Sequence, residues 1–370
     1  MKKLMSILLA VLILVSIFAS CGGEDVTTTT NDITTTTDDN VTTVPPVDTT
    51  PGECIHKEEI ILGKEPTTTS TGLTDGKKCS ICDKILIEQS VIPAKSVIDG
   101  LEYRISDDGK SYAVVGIGEC KDKVINIPDK YNDLPVTTIG SMAFKDNERI
   151  THVYIPNSVT YIDEFAFLGC TYLTTVVIPD TVTYIGKGVF IDCRSLTDIN
   201  LPVNLTCIGE VAFVGCISLT DIKLPANLTS ISREMFRGCG FESITIPDSV
   251  TSIEECVFML SKIKSINIPN GVTSIERGLF AYCEELTSVT IPSSVTSIDS
   301  HAFRDCKKLK SIIIPSSVTH ISENAFHGNE NLTVYCEATS KPDGWDDEWT
   351  GDERKDIKVK EVVWGYKGEE

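Results

Sequence analysis

Two closely spaced pairs of metal-binding residue types stand near the start of the chain. Cys54 and His56 form a C-x-H pair, and Cys79 and Cys82 form a C-x-x-C pair. Alternate residues of a strand point to the same side, so the first pair presents a thiol and an imidazole together. The second pair fits a tight turn, and four such ligands suit tetrahedral zinc. The sequence therefore predicts a structural zinc site within a small module at residues 53–96.

Other states of these cysteines stay open at the level of sequence. The one-residue spacing between Cys54 and His56 is unusual for zinc fingers, so a disulfide that includes Cys54, or free thiols, would also account for the residues. The module has few apolar residues, and either a metal or a crosslink would help it to fold. No cofactor is expected elsewhere in the chain.

Six further cysteines recur at a fixed interval, each three residues after a phenylalanine. They are Cys170, Cys193, Cys216, Cys239, Cys283 and Cys306. Neighbouring copies would bring their Cα atoms within disulfide reach. The equivalent positions Ser261 and Asn329, however, form hydrogen bonds and cannot crosslink. This substitution pattern predicts buried free thiols that act as weak hydrogen-bond donors.

No catalytic constellation can be assembled from the sequence. The chain contains no GxSxG, P-loop or HExxH motif. The five histidines are scattered: His56, His152, His301, His320 and His327. We therefore expect a protein that is not an enzyme.

The net charge of −20 argues against a nucleic-acid partner and against adhesion to anionic lipid by charge.

The chain is organised by a repeat that reads L-x-x-V-x-I-P, V-T-x-I, A-F-x-x-C. Its prolines are spaced by 22 or 23 residues: Pro156, Pro179, Pro202, Pro225, Pro247, Pro269, Pro292 and Pro315. A degenerate first copy at Pro128 is stretched by an insertion around Tyr131 to Leu134. A period in the twenties with L-x-x-L-x-L predicts a leucine-rich-repeat solenoid of about nine rungs.

Each rung is expected to hold two extended segments and one turn. The L-x-x-I-x-I segment forms a parallel strand, which the proline ends because it lacks an N–H. V-T-x-I forms a second short strand, whose threonines stack in a column from rung to rung. A-F packs inward beneath a single helical turn. The predicted fold is therefore a curved parallel-strand array that is rich in β-structure and has short helical turns.

The outward residues of the main strands are the candidate binding surface. They would line the concave wall of the array, and most are short and polar. The rungs that depart from this pattern contribute Tyr154, Asp198, Asn200, Asp221 and Lys223. Asp198 and Asp221 would stand side by side, a like-charge arrangement that a basic partner, a cation or water would relieve. We take these five residues as the candidate ligand-binding residues.

The segments that flank the array indicate export. Residues 1–20 have a charged start and an apolar run, as in a signal peptide. Small residues precede Cys21, as in bacterial lipoproteins, so we expect lipid at Cys21 to hold the protein at the cell surface. Simple cleavage and secretion is the alternative. Residues 21–52 are the anchor and a threonine-rich stalk whose composition predicts disorder.

The remaining boundaries follow from the composition of the chain. After the small module, residues 97–125 are expected to form an N-terminal cap hairpin, and residues 126–332 the repeat array. Residues 333–370 contain all three tryptophans, Trp345, Trp349 and Trp364, and are expected to form a C-terminal cap and tail. Such caps cover the apolar ends of a repeat array.

With the repeat laid out, the chain resembles the BspA-like leucine-rich-repeat surface proteins of bacteria. The resemblance rests on Ser-Val-Thr-x-Ile, as at 294–298, on Ala302-Phe303, and on the cap sequences 100–103 and 341–345. It implies a cell-surface protein that binds or adheres to an extracellular protein or glycan. A structural envelope component, or a metal-dependent scaffold without a specific host ligand, is the alternative.

Overall fold

The computed structural model describes residues 57–63, 72–73, 76–81, 84–87, 91–92, 100–352 and 357–368. Every regular element within these residues is a strand. The strands are β1 (Glu58–Ile61), β2 (Gly72–Leu73), β3 (Gly76–Cys79), β4 (Ile85–Ile87), β5 (Val91–Ile92), β6 (Glu102–Ile105), β7 (Tyr112–Gly116), β8 (Val124–Asn126), β9 (Lys130–Tyr131), β10 (Leu134–Ile139), β11 (His152–Tyr154), β12 (Tyr161–Ile162), β13 (Thr175–Val177), β14 (Tyr184–Ile185), β15 (Asp198–Asn200), β16 (Ser230–Ile231), β17 (Ser252–Ile253), β18 (Ser265–Asn267), β19 (Ser274–Ile275), β20 (Ser288–Thr290), β21 (Ser297–Ile298), β22 (Ser311–Ile314), β23 (His320–Ile321), β24 (Thr333–Cys336), β25 (Gly351–Asp352), β26 (Ile357–Lys358) and β27 (Glu361–Trp364). Within the described residues, no helix is long and apolar enough to span a membrane.

The repeat folds as a parallel-strand solenoid, which confirms the predicted fold class. The first segment of each rung forms the main wall, in sheets ordered β15-β13-β11-β8, β18-β20 and β22-β24-β27. The V-T-x-I segments form the second wall, in sheets ordered β14-β12-β10-β7-β6, β16-β17 and β19-β21-β23. Strands of neighbouring rungs pair in register, as Val153 does with Val176, so equivalent residues form columns along the solenoid.

The core is built from one phenylalanine per rung. Nine of them stack in a single column, with ring centroids 5.1 to 6.1 Å apart between neighbours. They are Phe144, Phe167, Phe190, Phe213, Phe236, Phe258, Phe280, Phe303 and Phe326, and all are fully buried. Because a lone rung buries too little apolar surface to offset its ordering entropy, this shared column is what makes the rungs interdependent.

The A-F segment forms hydrogen-bonded turns that make a third wall, the turn wall. Two residues per rung adopt the left-handed conformation, two positions before and two after the phenylalanine. The first set is Met142, Phe165, Gly188, Val211, Glu234, Cys256, Gly278, His301 and Asn324. The second is Asp146, Gly169, Asp192, Gly215, Gly238, Leu260, Tyr282, Asp305 and Gly328. This geometry lets the phenylalanine N–H donate to the next rung, as from Phe167 to Val189 O at 2.9 Å.

The cysteine column consists of free, buried thiols, as predicted. Each thiol donates to the phenylalanine carbonyl of the preceding rung, as from Cys216 Sγ to Phe190 O at 3.2 Å. Asn329 does the same through its amide, 2.7 Å from Phe303 O. Each of these side chains therefore donates a hydrogen bond to a buried backbone carbonyl. The position requires a small hydrogen-bond donor and does not require a second cysteine for a disulfide.

The threonine column has a related role on the second wall. Four of its hydroxyls donate to the backbone carbonyl of the preceding threonine at 3.2 to 3.4 Å: Thr183, Thr251, Thr296 and Thr319. The backbone N–H of Thr296 also donates to Thr273 O, at 2.8 Å. The threonines thus reinforce the ladder between rungs instead of bonding to one another's hydroxyls.

Aromatic residues pack at both ends of the array. At the start, β6 and β7 form a hairpin, and Tyr131 from the insertion stacks on Tyr103 with centroids 3.9 Å apart. At the other end, the edge of Trp349 meets the last ring of the phenylalanine column, Phe326, at 5.6 Å. Trp345 packs against Trp349 and donates its indole N–H to Val318 O.

The main wall is interrupted in the middle of the array, where two successive rungs have 22 residues instead of 23. The first main-wall sheet ends at β15, and the next begins at β18. Phe241 is buried at this point, and a Cβ on Gly240 would lie 2.2 Å from Ile217 O, so the shortened rung requires glycine. The turn wall continues past the interruption, with Phe236 N donating to Val257 O at 3.1 Å.

Candidate binding surface

Three of the five predicted binding residues lie on one face of one sheet. Tyr154 ends β11, and Asp198 and Asn200 begin and end β15. The parallel register aligns His152, Thr175 and Asp198 in one row, and Tyr154, Val177 and Asn200 in the next. The intervening residues Val153, Val176 and Ile199 are buried. The two rows therefore face outward together.

Tyr154 is electrostatically coupled to Asp198 across the sheet. Partial burial raises the pKa of the Tyr154 hydroxyl, and the negative charge of Asp198 raises it further. The hydroxyl therefore stays protonated at neutral pH and can either donate or accept a hydrogen bond. Asp198 and Asn200 are exposed at the ends of their strand, so a tyrosine, a carboxylate and an amide are presented side by side.

Asp221 and Lys223 belong to the next rung, at the interruption of the main wall. Both are exposed, but no strand pairing holds Asp221 beside Asp198. Within residues 100–352, none of the backbone N–H or C=O groups of residues 221–224 forms a hydrogen bond. As far as the described residues extend, the predicted surface thus ends at a rung whose backbone groups form no hydrogen bonds, and the positive charge of Lys223 there acts on Glu58 of β1, whose pKa it helps Lys77 to lower.

The second wall carries an aromatic feature that sequence reasoning missed. Tyr161 and Tyr184 pair in register and stack with centroids 4.5 Å apart and planes inclined by 6°. The available signal was a tyrosine at the position before the isoleucine of V-T-x-I in two successive rungs, where later rungs have cysteine, serine or histidine.

The turn wall carries a column in which charges alternate from rung to rung. Its members are Glu164, Lys187, Glu210, Arg233, Glu255 and Arg277. Lys187 pairs with Glu210 at 3.0 Å, and Arg233 lies 3.8 Å from Glu255. Exposed pairs of this kind contribute little each to stability, and their charges are directed to one another, so we do not take the column as a ligand site.

A recess of about 570 Å³ lies at the C-terminal end of the array. Acidic side chains dominate its lining, with Asp299, Glu323, Asp343 and Asp346 beside His320. Ser322 donates to Asp299 at 2.9 Å. Across the described ranges, however, no three His, Cys, Asp or Glu side chains converge as a metal site would require.

Only one of the four predicted zinc ligands falls where the structure describes the chain. Cys79 is buried at the end of β3, and the N–H of Ile81 points to its Sγ at 3.4 Å. Cys54, His56 and Cys82 lie outside the described residues, as does Cys21.

The comparisons with known proteins agree with this architecture. A family model for the BspA type leucine-rich repeat region matches six copies, over residues 137–264 and 206–333. Among solved structures, a leucine-rich cell surface protein from Faecalibacterium prausnitzii A2-165 is 25% identical with a TM-score of 0.52, over 70% of this chain and 86% of that protein. The leucine-rich repeat protein of T. pallidum is 26% identical with a TM-score of 0.44, over 58% and 90%.

A leucine-rich-repeat protein from Bacteroides ovatus ATCC 8483 is 24% identical with a TM-score of 0.37, over 73% of this chain and 90% of that protein. No curated protein matches the chain. Leucine-rich-repeat solenoids of this family are typically non-enzymatic, and the family is one of bacterial surface proteins. Because the matched repeats span more than half of its length, the chain belongs to the BspA-type leucine-rich-repeat family.

Proposed function

We propose that this chain is a bacterial cell-surface binding or adhesion protein that contacts an extracellular protein or glycan through Tyr154, Asp198, Asn200, Asp221 and Lys223. The observation that carries the proposal is the position of these residues at the interruption of the main wall. Side chains of mixed chemistry there adjoin a rung whose backbone groups form no hydrogen bond to any described residue.

This arrangement suits a partner that supplies an extended segment. Open N–H and C=O groups of a sheet can pair with the backbone of a partner chain, while neighbouring side chains provide specificity. Tyr154 offers an amphipathic ring, which is characteristic of binding surfaces. Asp198 and Asp221 are exposed carboxylates, and each would attract a positively charged group of a partner.

The first prediction is that Tyr154→Ala combined with Asp221→Ala weakens binding by about tenfold or more, since each change removes an anchor. The purified protein would be screened against extracellular matrix proteins and glycans by biolayer interferometry. The matched control is Ser288→Ala with Thr290→Ala, which alters the same two columns farther along the array.

A double variant that binds as tightly as the parent would exclude this surface. If the parent bound no member of the screen, the alternative of a structural envelope component would gain support.

The anchor is tested separately. Lipid at Cys21 would retain the protein with the cells, so Cys21→Ser should move it to the culture medium; unchanged retention would contradict lipid anchoring.

We also propose that Cys54, His56, Cys79 and Cys82 bind one structural zinc ion. Metal analysis of the full chain should find zinc, and Cys79→Ser should lose most of it because three ligands hold the ion poorly. Cys207→Ser, a change at an exposed cysteine of the array, should retain it. Equal zinc content in the two variants would leave the disulfide or the free thiols as the explanation.

A further inference from the structure

The sheet of the second wall ends in an open strand at the N-terminal end of the array. Its strands follow the order β14-β12-β10-β7-β6, so β6 has a neighbouring strand on one side only. Beyond its ladder with β7, the backbone of residues 102–105 forms no hydrogen bond to any described residue. The outer edge of β6 therefore presents N–H and C=O groups that a strand of another chain can pair with.

The side chains of β6 divide between the two sides of the sheet. Directly opposite residues of a ladder point to the same side, and Tyr103 lies opposite Val114, which is fully buried. Tyr103 therefore belongs to the core side, and Glu102 and Arg104 belong to the solvent side. Both charged residues are exposed. Ile105, on the core side at the end of the strand, is still 48% exposed.

The two charges on the solvent side have no partner within the chain. Neither Glu102 nor Arg104 forms an ion pair with a described residue. The Glu102 carboxylate lies over β7, where a Cβ on Gly116 would come within 2.5 Å of its Oε2. Because no ion pair holds it there, this exposed side chain can turn toward the open edge. Charged residues at an edge disfavour a strand that leaves them unmatched, so the edge selects a strand that carries complementary charges.

A second copy of β6 has this complementary pattern. Two copies that pair antiparallel around a two-fold axis, as one continuous sheet, place solvent-side residues opposite solvent-side residues. A register centred on Glu102 or on Arg104 would oppose like charges, which is destabilising, and a register displaced further would pair fewer residues. The register centred on Tyr103 places Glu102 opposite Arg104 of the second copy, twice by symmetry. On the core side it places Ile105 opposite Leu101 of the second copy.

We propose that two copies of this chain pair through β6, antiparallel and centred on Tyr103, with Glu102 of each copy opposite Arg104 of the other. The second-wall sheets of the two copies then join into one sheet at their N-terminal ends. The contact does not depend on the surface formed by Tyr154 and its neighbours. A strand of this length buries little area, so the dimer is weak, with a Kd of roughly 100 µM.

Sedimentation velocity of the purified full chain measures this association, in reducing buffer because Cys207 is exposed. The parent should pass from monomer to dimer between about 10 µM and 1 mM. Glu102→Arg and Arg104→Glu should each weaken dimerisation by about tenfold or more, because each change opposes like charges in both symmetry-related pairs. The matched control Lys310→Glu makes the same change of charge at an exposed residue far along the array and should leave dimerisation unchanged.

Two combinations of these changes test the register itself. The double variant with Glu102→Arg and Arg104→Glu should regain the affinity of the parent, because opposite charges again face each other. A mixture of the two single variants should form a heterodimer at a concentration where each alone is monomeric, since one then supplies only positive and the other only negative charges.

The proposal is overturned if the parent stays monomeric over this range, including the case in which an unrelated extended peptide binds β6 instead. It is also overturned if either single variant dimerises as the parent does, or if neither combination restores association.

Discussion

Raising the pH above about 8.5 should unfold the solenoid steeply, because the six buried thiols of the cysteine column, and Cys336 beside them in the core, must stay protonated. Burial raises the pKa of Cys170 and of Cys283 to about 12. It also raises the pKa of the other four thiols, Cys193, Cys216, Cys239 and Cys306, far above the ordinary range. In the unfolded chain each thiol ionises near 8.5.

The direction of the effect follows from proton binding. Above the unfolded pKa the native state holds protons that the unfolded state releases, so stability is complete below about pH 8.5 and falls as the pH rises toward 12. Each thiol contributes a slope of ~1.4 kcal/mol per pH unit, and six thiols together roughly 8 kcal/mol per pH unit. A midpoint between pH 9 and 10.5 is therefore expected.

The measurement is the free energy of unfolding in urea between pH 7 and 10. The variant that carries Cys193→Ser, Cys216→Ser and Cys239→Ser should show a slope that is smaller by ~4 kcal/mol per pH unit, because serine is also a small hydrogen-bond donor but does not ionise in this range. Cys207→Ser, at an exposed position, should leave the slope unchanged. Burial also raises the pKa of Tyr103, to about 12, so tyrosines contribute only above pH 10. A flat profile up to pH 10 would refute buried ionisable thiols.

Removing one ring from the middle of the phenylalanine column should destabilise the whole array. Phe258 lies between Phe236 and Phe280, at 6.1 and 5.7 Å, and meets the edge of Phe241. Phe258→Ala should lower the free energy of unfolding by about 3–5 kcal/mol, because it opens a cavity that the stacked rungs cannot collapse. Urea denaturation followed by circular dichroism measures this loss.

The matched comparison is Phe165→Ala on the turn wall. That phenylalanine is only partly buried and lies outside the stack, so its truncation should cost less than about 1.5 kcal/mol. Both positions lose the same side chain, and the contrast isolates the contribution of the column. Equal losses for the two variants would mean that the stacking of rings does not couple the rungs.

The fold could be predicted from the sequence because the residues that determine it recur in every rung. The spacing of the prolines, the inward leucines and isoleucines, and the phenylalanine of each rung all specify the same parallel stacking. The choice between disulfides and thiols was accessible for the same reason, since Ser261 and Asn329 occupy the cysteine column. Repetition supplies many independent observations of one environment.

The details of the turn wall and of the candidate surfaces could not be predicted from the repeat in the sequence. The left-handed positions before the phenylalanine are filled by residues as different as Phe165 and Gly188, so no residue preference marks them, whereas seven of the nine positions after it hold glycine or aspartate. Residues 221–224, whose backbone forms no hydrogen bond to the described residues, stand 23 residues after the equivalent positions of β15, so the length of this rung does not mark them. Binding surfaces consist of departures from the repeat, and each departure occurs only once.

The interruption of the main wall has a consequence for how the array yields under stress. Between the rung of β15 and the next rung, which contains residues 221–224, the backbone-to-backbone hydrogen bonds of the described residues run along the turn wall, as from Gly215 to Arg237 O. Repeat arrays open where the coupling between neighbours is weakest. The solenoid is therefore expected to unfold as two cooperative blocks that are connected through the turn wall. A mechanical force, or a partner that inserts between the blocks, would separate the main wall first.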